Sequence, residues 1–440
     1  MSEEDVLNPP RGMRDLTGVD AELHEYMVEL FKETARRNGF KPIITPTVEY
    51  FRLFEKKSGE EIKRSMYVFQ DKAGRTLALR PEVTASVVRA YLKEMRSQPK
   101  PIRLYYVAQC FRYEEPQKAR YREFWQGGLE IIGDPDINAD VSAAFTASNF
   151  LEELGVKHYY VVGNVATYRV IMDRIGIPEE TQDLVLHLID KDRVGEALQV
   201  LRDKTSREDV VELFRRLLNS GIDEALSVIM DFKGLGEGYS IIESELAKTR
   251  EFIELLNQVG FNAAYEPKLV RGLAYYTGLI FEYKTSGGLS VSIGGGGRYD
   301  GLTRVYGGEY EYSTGLALGL DRIMLLLDPG KILPSKTTVL ISILEGVPLK
   351  AGYELVRRIR VKGVEVIPYR ARSLSKALSL ANKINAGLVV IIGRREYESG
   401  SITVKNMITG EQKYIGLNDI NAFLDYIKGA GTQQPQDDAG

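Results

Sequence analysis

YYVAQCFRYE, residues 105–114, and EFWQGGLEIIG, residues 123–133, stand on either side of a polar segment, EPQKARYR. Both flanking segments are rich in β-branched and aromatic residues, which is typical of β-strands. The segment between them is too polar to be part of a core and too long for a tight turn. The pattern therefore predicts two antiparallel strands joined by a long basic loop.

The second of these strands has an unusual polar face. Successive side chains of a strand point to opposite faces, and one face here carries Phe124, Gln126, Gly128, Glu130 and Ile132. It therefore combines an amide, a carboxylate and a gap. Buried polar groups cost free energy unless they are satisfied, which favours a face that receives a polar ligand. A solvated sheet face is the alternative.

Arginines near the strand ends narrow the choice of ligand. Arg112, Arg120 and Arg122 carry guanidinium groups, which bind phosphate oxygens bidentately. The runs FRYE (111–114), PQKARYREF (116–124) and QGGLE (126–130) resemble the second signature motif of class II aminoacyl-tRNA synthetases, in the form typical of histidyl-tRNA synthetases. The resemblance implies an α+β catalytic domain with a mostly antiparallel sheet, and histidine, ATP and tRNA(His) as substrates.

A second run carries the same resemblance. KLVRGLAYYTG, residues 268–278, resembles a segment peculiar to histidyl-tRNA synthetases. The resemblance implies that Arg271 contacts the ATP α-phosphate and the substrate carboxylate, and that Tyr275 and Tyr276 line an imidazole pocket. Ala274 stands where the family usually has aspartate, which puts the role of that carboxylate in doubt. From the residues alone, an arginine in a half-buried strand demands an anion, and a structural ion pair is the alternative.

A third run resembles the family as well, and the three runs occur in the same order as in the family. STGLALGLDRIMLLL, residues 313–327, resembles the third class II motif, a strand followed by a helix, with Arg322 on the γ-phosphate side of ATP. Four glycines, residues 294–297, precede it. A glycine run lets the backbone approach a ligand closely, although by itself it is a weak signal.

The resemblance implies a role for each motif residue. Arg112 and Arg271 are the expected catalytic residues, with Arg271 in the role that a metal ion has elsewhere. Glu82 and Thr84, at a predicted helix start where capping is the alternative, would hold the α-amino group with Gln126. The expected histidine-binding residues are Glu82, Val83, Thr84, Arg112, Gln126, Glu130, Arg271, Tyr275 and Tyr276. The expected ATP-binding residues are Arg112, Glu114, Arg120, Phe124 and Arg322.

The chain length of 440 residues predicts two or three domains. Residues 1–330 are the expected catalytic domain, interrupted at about 172–248 by amphipathic helices that in the family reach toward the tRNA acceptor arm. Residues 336–428 alternate strands and helices, which predicts a small α/β domain with parallel pairing. They resemble an anticodon-binding domain and carry 15 Lys and Arg against 8 Asp and Glu. Residues 429–440 are expected to be disordered.

Composition excludes several other classes. Apolar residues make up 44% and charged residues 27%, as in ordinary globular proteins. The sequence has neither a leader peptide nor an eighteen-residue apolar run, so we expect a cytoplasmic protein without membrane contact. Cys110 is the only cysteine, which precludes an internal disulfide. The three histidines have no cysteine partners, so no protein-held metal site is expected. Mg²⁺ would accompany ATP, with ligands that the sequence does not assign.

The expected oligomeric state and the alternative functions both follow from the resemblance. It implies a homodimer with Pro46 near the interface, whereas the residues alone give only an edge strand there. The alternative function is a non-catalytic histidine-sensing paralogue, of the type of the regulatory subunit of ATP phosphoribosyltransferase. Ala274 favours that alternative, and Arg112, Arg271, Arg322 and the C-terminal domain argue against it. Another class II synthetase is disfavoured by the RGLxYY run.

Overall fold

The structure is a computed structural model of the chain. It describes residues 6–56, 64–115, 117, 119–205, 207–232, 235–270, 275–286, 291–334, 336–359, 363–417 and 419–430. The chain divides into two compact units, Met1–Ile332 and Leu333–Gly440. Among the described residues, none of the helices is both long and apolar enough to cross a membrane.

The first unit is built on a large sheet. Its strands are β1 (Lys41–Pro42), β2 (Val48–Tyr50), β3 (Val68–Gln70), β4 (Thr76–Leu79), β5 (Ile102–Phe111), β6 (Glu123–Ile132), β7 (His158–Asn164), β8 (Ala263–Tyr265), β9 (Leu279–Thr285), β10 (Gly294–Arg298) and β11 (Ser313–Gly319). Eight of them form one sheet in the order β1-β5-β6-β11-β10-β9-β7-β8, and β2-β4-β3 form a second. Only the outer pairs, β1 with β5 and β7 with β8, are parallel. The predicted mostly antiparallel sheet is confirmed.

Strands β5 and β6 pair along their whole length, from Ile102 opposite Ile132 to Phe111 opposite Glu123. The antiparallel pair predicted from the sequence is therefore confirmed. The gap left by the missing side chain of Gly128 is filled by protein and is not, as the sequence predicted, left open for a ligand. A Cβ atom on Gly128 would lie 2.1 Å from Cζ of Tyr106, so the phenol of the neighbouring strand fills the space that was expected to receive a ligand.

Strand β10 explains the glycine run. A Cβ atom on Gly296 would lie 2.1 Å from the carbonyl oxygen of Gly315 on β11. This glycine is therefore needed for close packing between strands. Residues 268–278 were expected to belong to a strand, but residues 268–270 and 275–278 form turns and irregular backbone, and β9 begins at Leu279. Residues 271–274 lie outside the described residues. Tyr275 and Tyr276, which were expected to be strand residues, line a cavity instead.

Helices pack against the large sheet, and a run of six helices among the described residues lies between β7 and β8 in the sequence. The helices of the unit are α1 (Gly18–Arg37), α2 (Phe51–Glu55), α3 (Thr84–Ala90), α4 (Ile137–Glu153), α5 (Val165–Arg174), α6 (Glu179–Asp190), α7 (Val194–Thr205), α8 (Glu208–Leu217), α9 (Ile222–Met230), α10 (Gly238–Gln258), α11 (Leu302–Val305), α12 (Leu320–Met324) and α13 (Pro329–Ile332). The helical run from α5 to α10 is wider than the predicted 172–248. Its first helix begins after Asn164, whose side chain caps it by accepting from the Thr167 amide.

The second unit is a five-stranded sheet with flanking helices. Its elements are β12 (Thr337–Leu344), α14 (Leu349–Arg358), β13 (Val364–Ala371), α15 (Leu374–Lys383), β14 (Leu388–Ile392), α16 (Arg394–Glu398), β15 (Ser401–Asn406), β16 (Gln412–Gly416) and α17 (Ile420–Ala430). The order is β13-β12-β14-β15-β16. The first three strands are parallel, as predicted, whereas β15 and β16 add an antiparallel hairpin that the sequence analysis missed. Of the predicted disordered tail, residues 429–440, the first two belong to α17, and residues 431–440 lie outside the described residues.

Candidate active site

A pocket of about 340 Å³ lies in the first unit, along β6, β10 and β11. Most of the residues predicted from the sequence line it. These are Glu82, Thr84, Arg112, Glu114, Arg120, Phe124, Gln126, Tyr275, Tyr276 and Arg322. Gly294 and Gly295 also line it, so part of the glycine run does border the cavity. Residues from five separate stretches of the chain thus converge on one place.

Two of the predicted residues are not in the lining, and a third lies outside the described residues. The side chain of Val83 is buried in the core with Val87 and Tyr91. Glu130 lies beneath the pocket rather than in its wall. Arg271 lies outside the described residues, together with Ala274, so its expected position stays a prediction.

Glu82 lines the pocket and also accepts a hydrogen bond at the start of helix α3. It is 5% exposed, and its carboxylate accepts a hydrogen bond from the Ala85 amide at 3.1 Å, at the start of α3. Helix capping, the alternative weighed from the sequence, therefore takes place beside the pocket. Burial raises the pKa of Glu82 to about 7, because it disfavours the charged carboxylate, while the Ala85 amide and the nearby Arg112 oppose the shift.

Glu130 is the most enclosed acid of the site. It is 0% exposed, with Oε1 accepting from Thr84 Oγ1 at 2.7 Å and Oε2 accepting from the Tyr299 hydroxyl at 2.6 Å. Burial raises its pKa to about 8, against these hydrogen bonds and with the help of nearby Glu82. A Cβ atom on Gly315 would lie 1.8 Å from Oε2. Because Thr84, Tyr299 and Gly315 line the pocket, Glu130 is one layer below its floor.

Tyrosines complete this end of the pocket. The ring centroids of Tyr275 and Tyr276 are 5.0 Å apart, and those of Tyr275 and Tyr299 are 5.9 Å apart. Burial raises the pKa of Tyr275 and of Tyr299 well above the usual value of 10, so both phenols keep their protons at neutral pH. A buried acid surrounded by hydroxyl groups can both donate and accept hydrogen bonds. This end therefore suits a small polar group such as a ring with an N–H and a lone pair.

The other end of the pocket is cationic. Arg112, at the end of β5, donates from Nε to the Pro81 carbonyl at 2.9 Å and lies 5.3 Å from the Phe124 ring centroid. Arg322, in α12, donates to the carbonyls of Ala119 at 3.1 Å and of Ser292 at 2.6 Å. Guanidinium groups fixed by backbone carbonyls suit phosphate oxygens, because little side-chain freedom is lost on binding.

Sequence analysis missed several residues of this site. Tyr106 and Tyr299 surround Glu130, while Tyr121, Trp125 and Asp321 line the cationic end. Tyr299 follows the glycine run directly, a signal that could have identified it. Tyr106 carries no such signal, because its role depends on the missing side chain of Gly128 across the strand pair. Among the described residues, no group of three or more His, Cys, Asp or Glu side chains could hold a metal ion.

Glu130→Gln tests the cost of burying this acid. The folded protein holds the Glu130 proton more tightly than the unfolded chain does, so its contribution to stability is lost as pH rises from about 4.5 to about 8. Without ligands, Glu130→Gln should therefore unfold at least ~2 °C above wild type at pH 8.5, with a smaller gain at pH 5, by scanning calorimetry. The exposed Glu224→Gln is the control. An equal difference at both pH values would contradict this account.

Comparisons with known proteins agree with this geometry. The sequence model of the family described as Histidyl-tRNA synthetase matches residues 12–323, and that of Anticodon binding domain matches residues 338–428. The chain is 39% identical over 425 residues to a protein of Saccharolobus solfataricus named Histidine--tRNA ligase, which covers 95% of this chain and 98% of that relative.

Two solved structures share the fold. Apo histidyl-tRNA synthetase of S. aureus has a TM-score of 0.66 and 25% identity, covering 96% of this chain and 99% of that one. An ATP phosphoribosyltransferase regulatory subunit/histidyl-tRNA synthetase of Bacillus halodurans C has a TM-score of 0.72 at 22% identity, covering 88% and 98%. Matches to both units, together with a relative alike over nearly its whole length, establish that the chain belongs to the histidyl-tRNA synthetase family.

Proposed function

We propose that this chain is a histidine–tRNA ligase that works in the cytoplasm. It activates histidine with ATP to histidyl-adenylate and transfers the histidyl group to the 3′ end of tRNA(His). One observation carries the proposal: a single pocket joins a buried acid with hydroxyl neighbours to a cationic wall that carries Arg112, Arg120 and Arg322. Family membership supports the same reaction.

In the first step two negatively charged groups, the histidine carboxylate and the α-phosphate of ATP, must come into contact. The histidine carboxylate attacks the α-phosphorus of ATP, and pyrophosphate leaves in line with the attack. Arg112 and Arg271 are the proposed catalytic residues, which hold the carboxylate and the α-phosphate together and neutralise the negative charge. In the second step a hydroxyl of the terminal ribose of tRNA attacks the histidyl carbonyl, and AMP leaves.

Histidine is chosen by hydrogen bonds to its ring. Glu130 and Tyr276 are proposed to bind the two imidazole nitrogens. In the absence of histidine, Glu130 already bonds Thr84 and Tyr299, so the ring must replace one of these hydroxyl partners or bind through it. A pocket with obligatory polar partners rejects analogues that lack them by about 10⁴–10⁵-fold, because its own groups are left unpaired. Glu82, Thr84 and Gln126 would hold the α-amino group, together with the backbone of Val83. Tyr275 would line the imidazole pocket with Tyr276.

ATP is proposed to occupy the cationic end. Phe124 offers a ring against adenine, and Arg112, Glu114, Arg120 and Arg322 are the proposed ATP-binding residues. Mg²⁺ would neutralise charge on the departing phosphates. Asp190 and Glu282 line the same pocket as Arg322 and have the carboxylate oxygens that Mg²⁺ prefers, so they would hold it.

The second unit is proposed to bind the anticodon. Its excess of Lys and Arg suits the phosphate backbone of RNA. The helical run from α5 to α10 is proposed to contact the acceptor arm, as such insertions do in the family.

ATP–pyrophosphate exchange with a panel of amino acids tests the function. Histidine should support exchange at least ~10³-fold faster than any other amino acid. The side chain of another amino acid would leave the buried polar groups of the pocket without hydrogen-bond partners. Aminoacylation of tRNA should follow with histidine alone. No exchange with any amino acid would instead support the non-catalytic histidine-sensing alternative, and exchange with a different amino acid would identify another class II synthetase.

Arg271→Ala tests the proposed metal-like role of this arginine. Loss of a fixed cation at the reacting phosphate should lower the exchange rate by about 10²–10³-fold. Lys268→Ala, three positions earlier and half exposed, is the matched control and should retain activity. A rate for Arg271→Ala within about threefold of wild type would rule the role out, since it corresponds to under ~0.7 kcal/mol.

An apolar surface supports the proposed homodimer. Ile44 is 95% exposed next to the edge strand β1, and Val48, Tyr50, Val68 and Phe69 are 39–54% exposed on the small β2-β4-β3 sheet. Exposed apolar surface of this kind marks interaction sites. A second copy of the chain is the proposed occupant, because a twofold interface brings the same patch from both subunits together.

Ile44→Asp should therefore weaken the dimer. Each dimer would bury two new carboxylates. It would also lose, for each subunit, the ~1.5–3 kcal/mol of stabilisation expected from burying an isoleucine side chain. Sedimentation equilibrium should show a rise in the dimer dissociation constant. Val259→Asp, 53% exposed at the end of α10, should leave it unchanged. If Ile44→Asp sediments as wild type does, the patch is not the interface.

A further inference from the structure

The N-terminal segment that precedes α1 is bound to the loop between β5 and β6. The Gly12 carbonyl accepts from the Arg122 amide at 2.8 Å, and Arg11 pairs with Glu115 at 3.0 Å. The Arg11 pair is 72% and 76% exposed, so screening by solvent leaves it little energy. The segment is therefore placed chiefly by its backbone and by the residue that follows, Arg14.

Arg14 reaches two walls of the pocket with one guanidinium group. Nη1 donates to the Tyr121 hydroxyl at 3.0 Å, and Cζ lies 4.2 Å from the centroid of that ring. Nη2 donates to Asp321 Oδ1 at 2.8 Å. Tyr121 belongs to the basic loop and Asp321 to α12, and both line the pocket. The guanidinium therefore ties the loop to the helix across the rim of the cavity.

The tie continues into the central sheet. Asp321 Oδ2 accepts from the backbone amide of Trp125, in β6, at 2.6 Å. The side chain of Asp321 is 7% exposed and that of Arg14 is 26% exposed, so their ion pair is partly shielded from solvent. Such charge-assisted hydrogen bonds are stronger than neutral ones. Loop, helix and strand are thus joined through one arginine and one aspartate.

The two tied residues are each next to an ATP-binding candidate. Arg120 precedes Tyr121, and Arg322 follows Asp321. Arg322 in addition donates to the Ala119 carbonyl of the same loop. The distance between the loop and α12 therefore sets how far apart the Arg120 and Arg322 guanidinium groups stand, and this spacing must match a polyphosphate.

We propose that Arg14 is a positioning residue for ATP, which acts through Tyr121 and Asp321 to hold Arg120 and Arg322 at the spacing that the phosphates require. Arg14 itself does not contact the reacting atoms. This inference rests on the proposed function, because ATP is the ligand that is positioned. Histidine binding, at the opposite end of the pocket, should be indifferent to Arg14.

Intrinsic fluorescence can follow this tie directly, since Trp125 is the only tryptophan of the chain. ATP titration of the full-length protein, monitored by Trp125 emission, measures ATP binding without turnover. Arg14→Met keeps the apolar stem and removes the charge, and it should weaken ATP binding about tenfold, equivalent to ~1.4 kcal/mol. In ATP–pyrophosphate exchange its KM for ATP should rise by the same factor, while the KM for histidine stays within about twofold.

Three further variants separate positioning from general loosening. Arg14→Lys restores the charge opposite Asp321 but not the fork that also reaches Tyr121, so it should bind ATP with intermediate affinity. Tyr121→Phe should weaken ATP binding less than Arg14→Met, and adding it to Arg14→Met should change little more, because the two residues act as a unit. Arg11→Met, on the same segment and loop, is the control and should match wild type.

Each outcome decides one point. Wild-type ATP affinity in Arg14→Met, or an equal loss in Arg11→Met, would overturn the positioning role. A parallel loss of histidine affinity would also overturn it, because the whole pocket would then depend on Arg14. If Arg14→Met fails to fold, Arg14→Lys and Tyr121→Phe still decide. Absence of ATP binding in the wild-type protein would refute the proposed function itself.

Discussion

A buried carboxyl group at the centre of the large sheet, which has no cationic partner among the residues that the structure describes, is the constraint on which the site depends. Glu130 is fully buried and is satisfied by the hydroxyls of Thr84 and Tyr299. An unpaired buried charge is strongly unfavourable, and burial accordingly raises the pKa of Glu130 to about 8. Such a group costs stability, and in the proposed function it is a recognition element that apolar residues could not supply.

The antiparallel centre of the sheet makes this arrangement possible. Strands β5, β6, β11 and β10 are adjacent in the sheet, although strands β7 to β9 and helices α4 to α10 lie between β6 and β10 in the sequence. Gly315 lies opposite Glu130 and leaves room for its carboxylate, while Gly128 leaves room for Tyr106. The basic loop after β5 and the helix after β11 then emerge at the same edge. The Glu130 end and the cationic wall are therefore two ends of one set of strands, which is the arrangement that the proposed binding of histidine and ATP requires.

Sequence reasoning predicted the parts of the site that local pattern encodes. The β5–β6 pair and Arg112 beside the pocket came from strand composition and the arginines at the strand ends. The mostly antiparallel sheet and the place of Arg322 came from the resemblance to the synthetase motifs. It missed what depends on contacts between distant residues. The Tyr106 ring fills the gap at Gly128 because of strand register, Tyr299 meets Glu130 across β11, and Arg14 reaches Asp321 over three hundred positions along the chain.

Boundaries were also hard to predict where residue type and structure disagree. Helix α5 contains Val165, Tyr168 and Ile171, whose side chains favour strands, and tertiary packing in the helical layer overrides that preference. The opposite error occurred before β9, where apolar residues that line a cavity were taken for strand.

A crystal structure with a non-hydrolysable sulfamoyl analogue of histidyl-adenylate tests the central claim most directly. The account predicts the imidazole above the pocket floor within hydrogen-bond reach of Glu130 or of a hydroxyl bonded to it, and the sulfamoyl group beside Arg112. It also predicts adenine against Phe124. An analogue bound elsewhere, or an imidazole without any polar contact at the Glu130 end, would contradict the account.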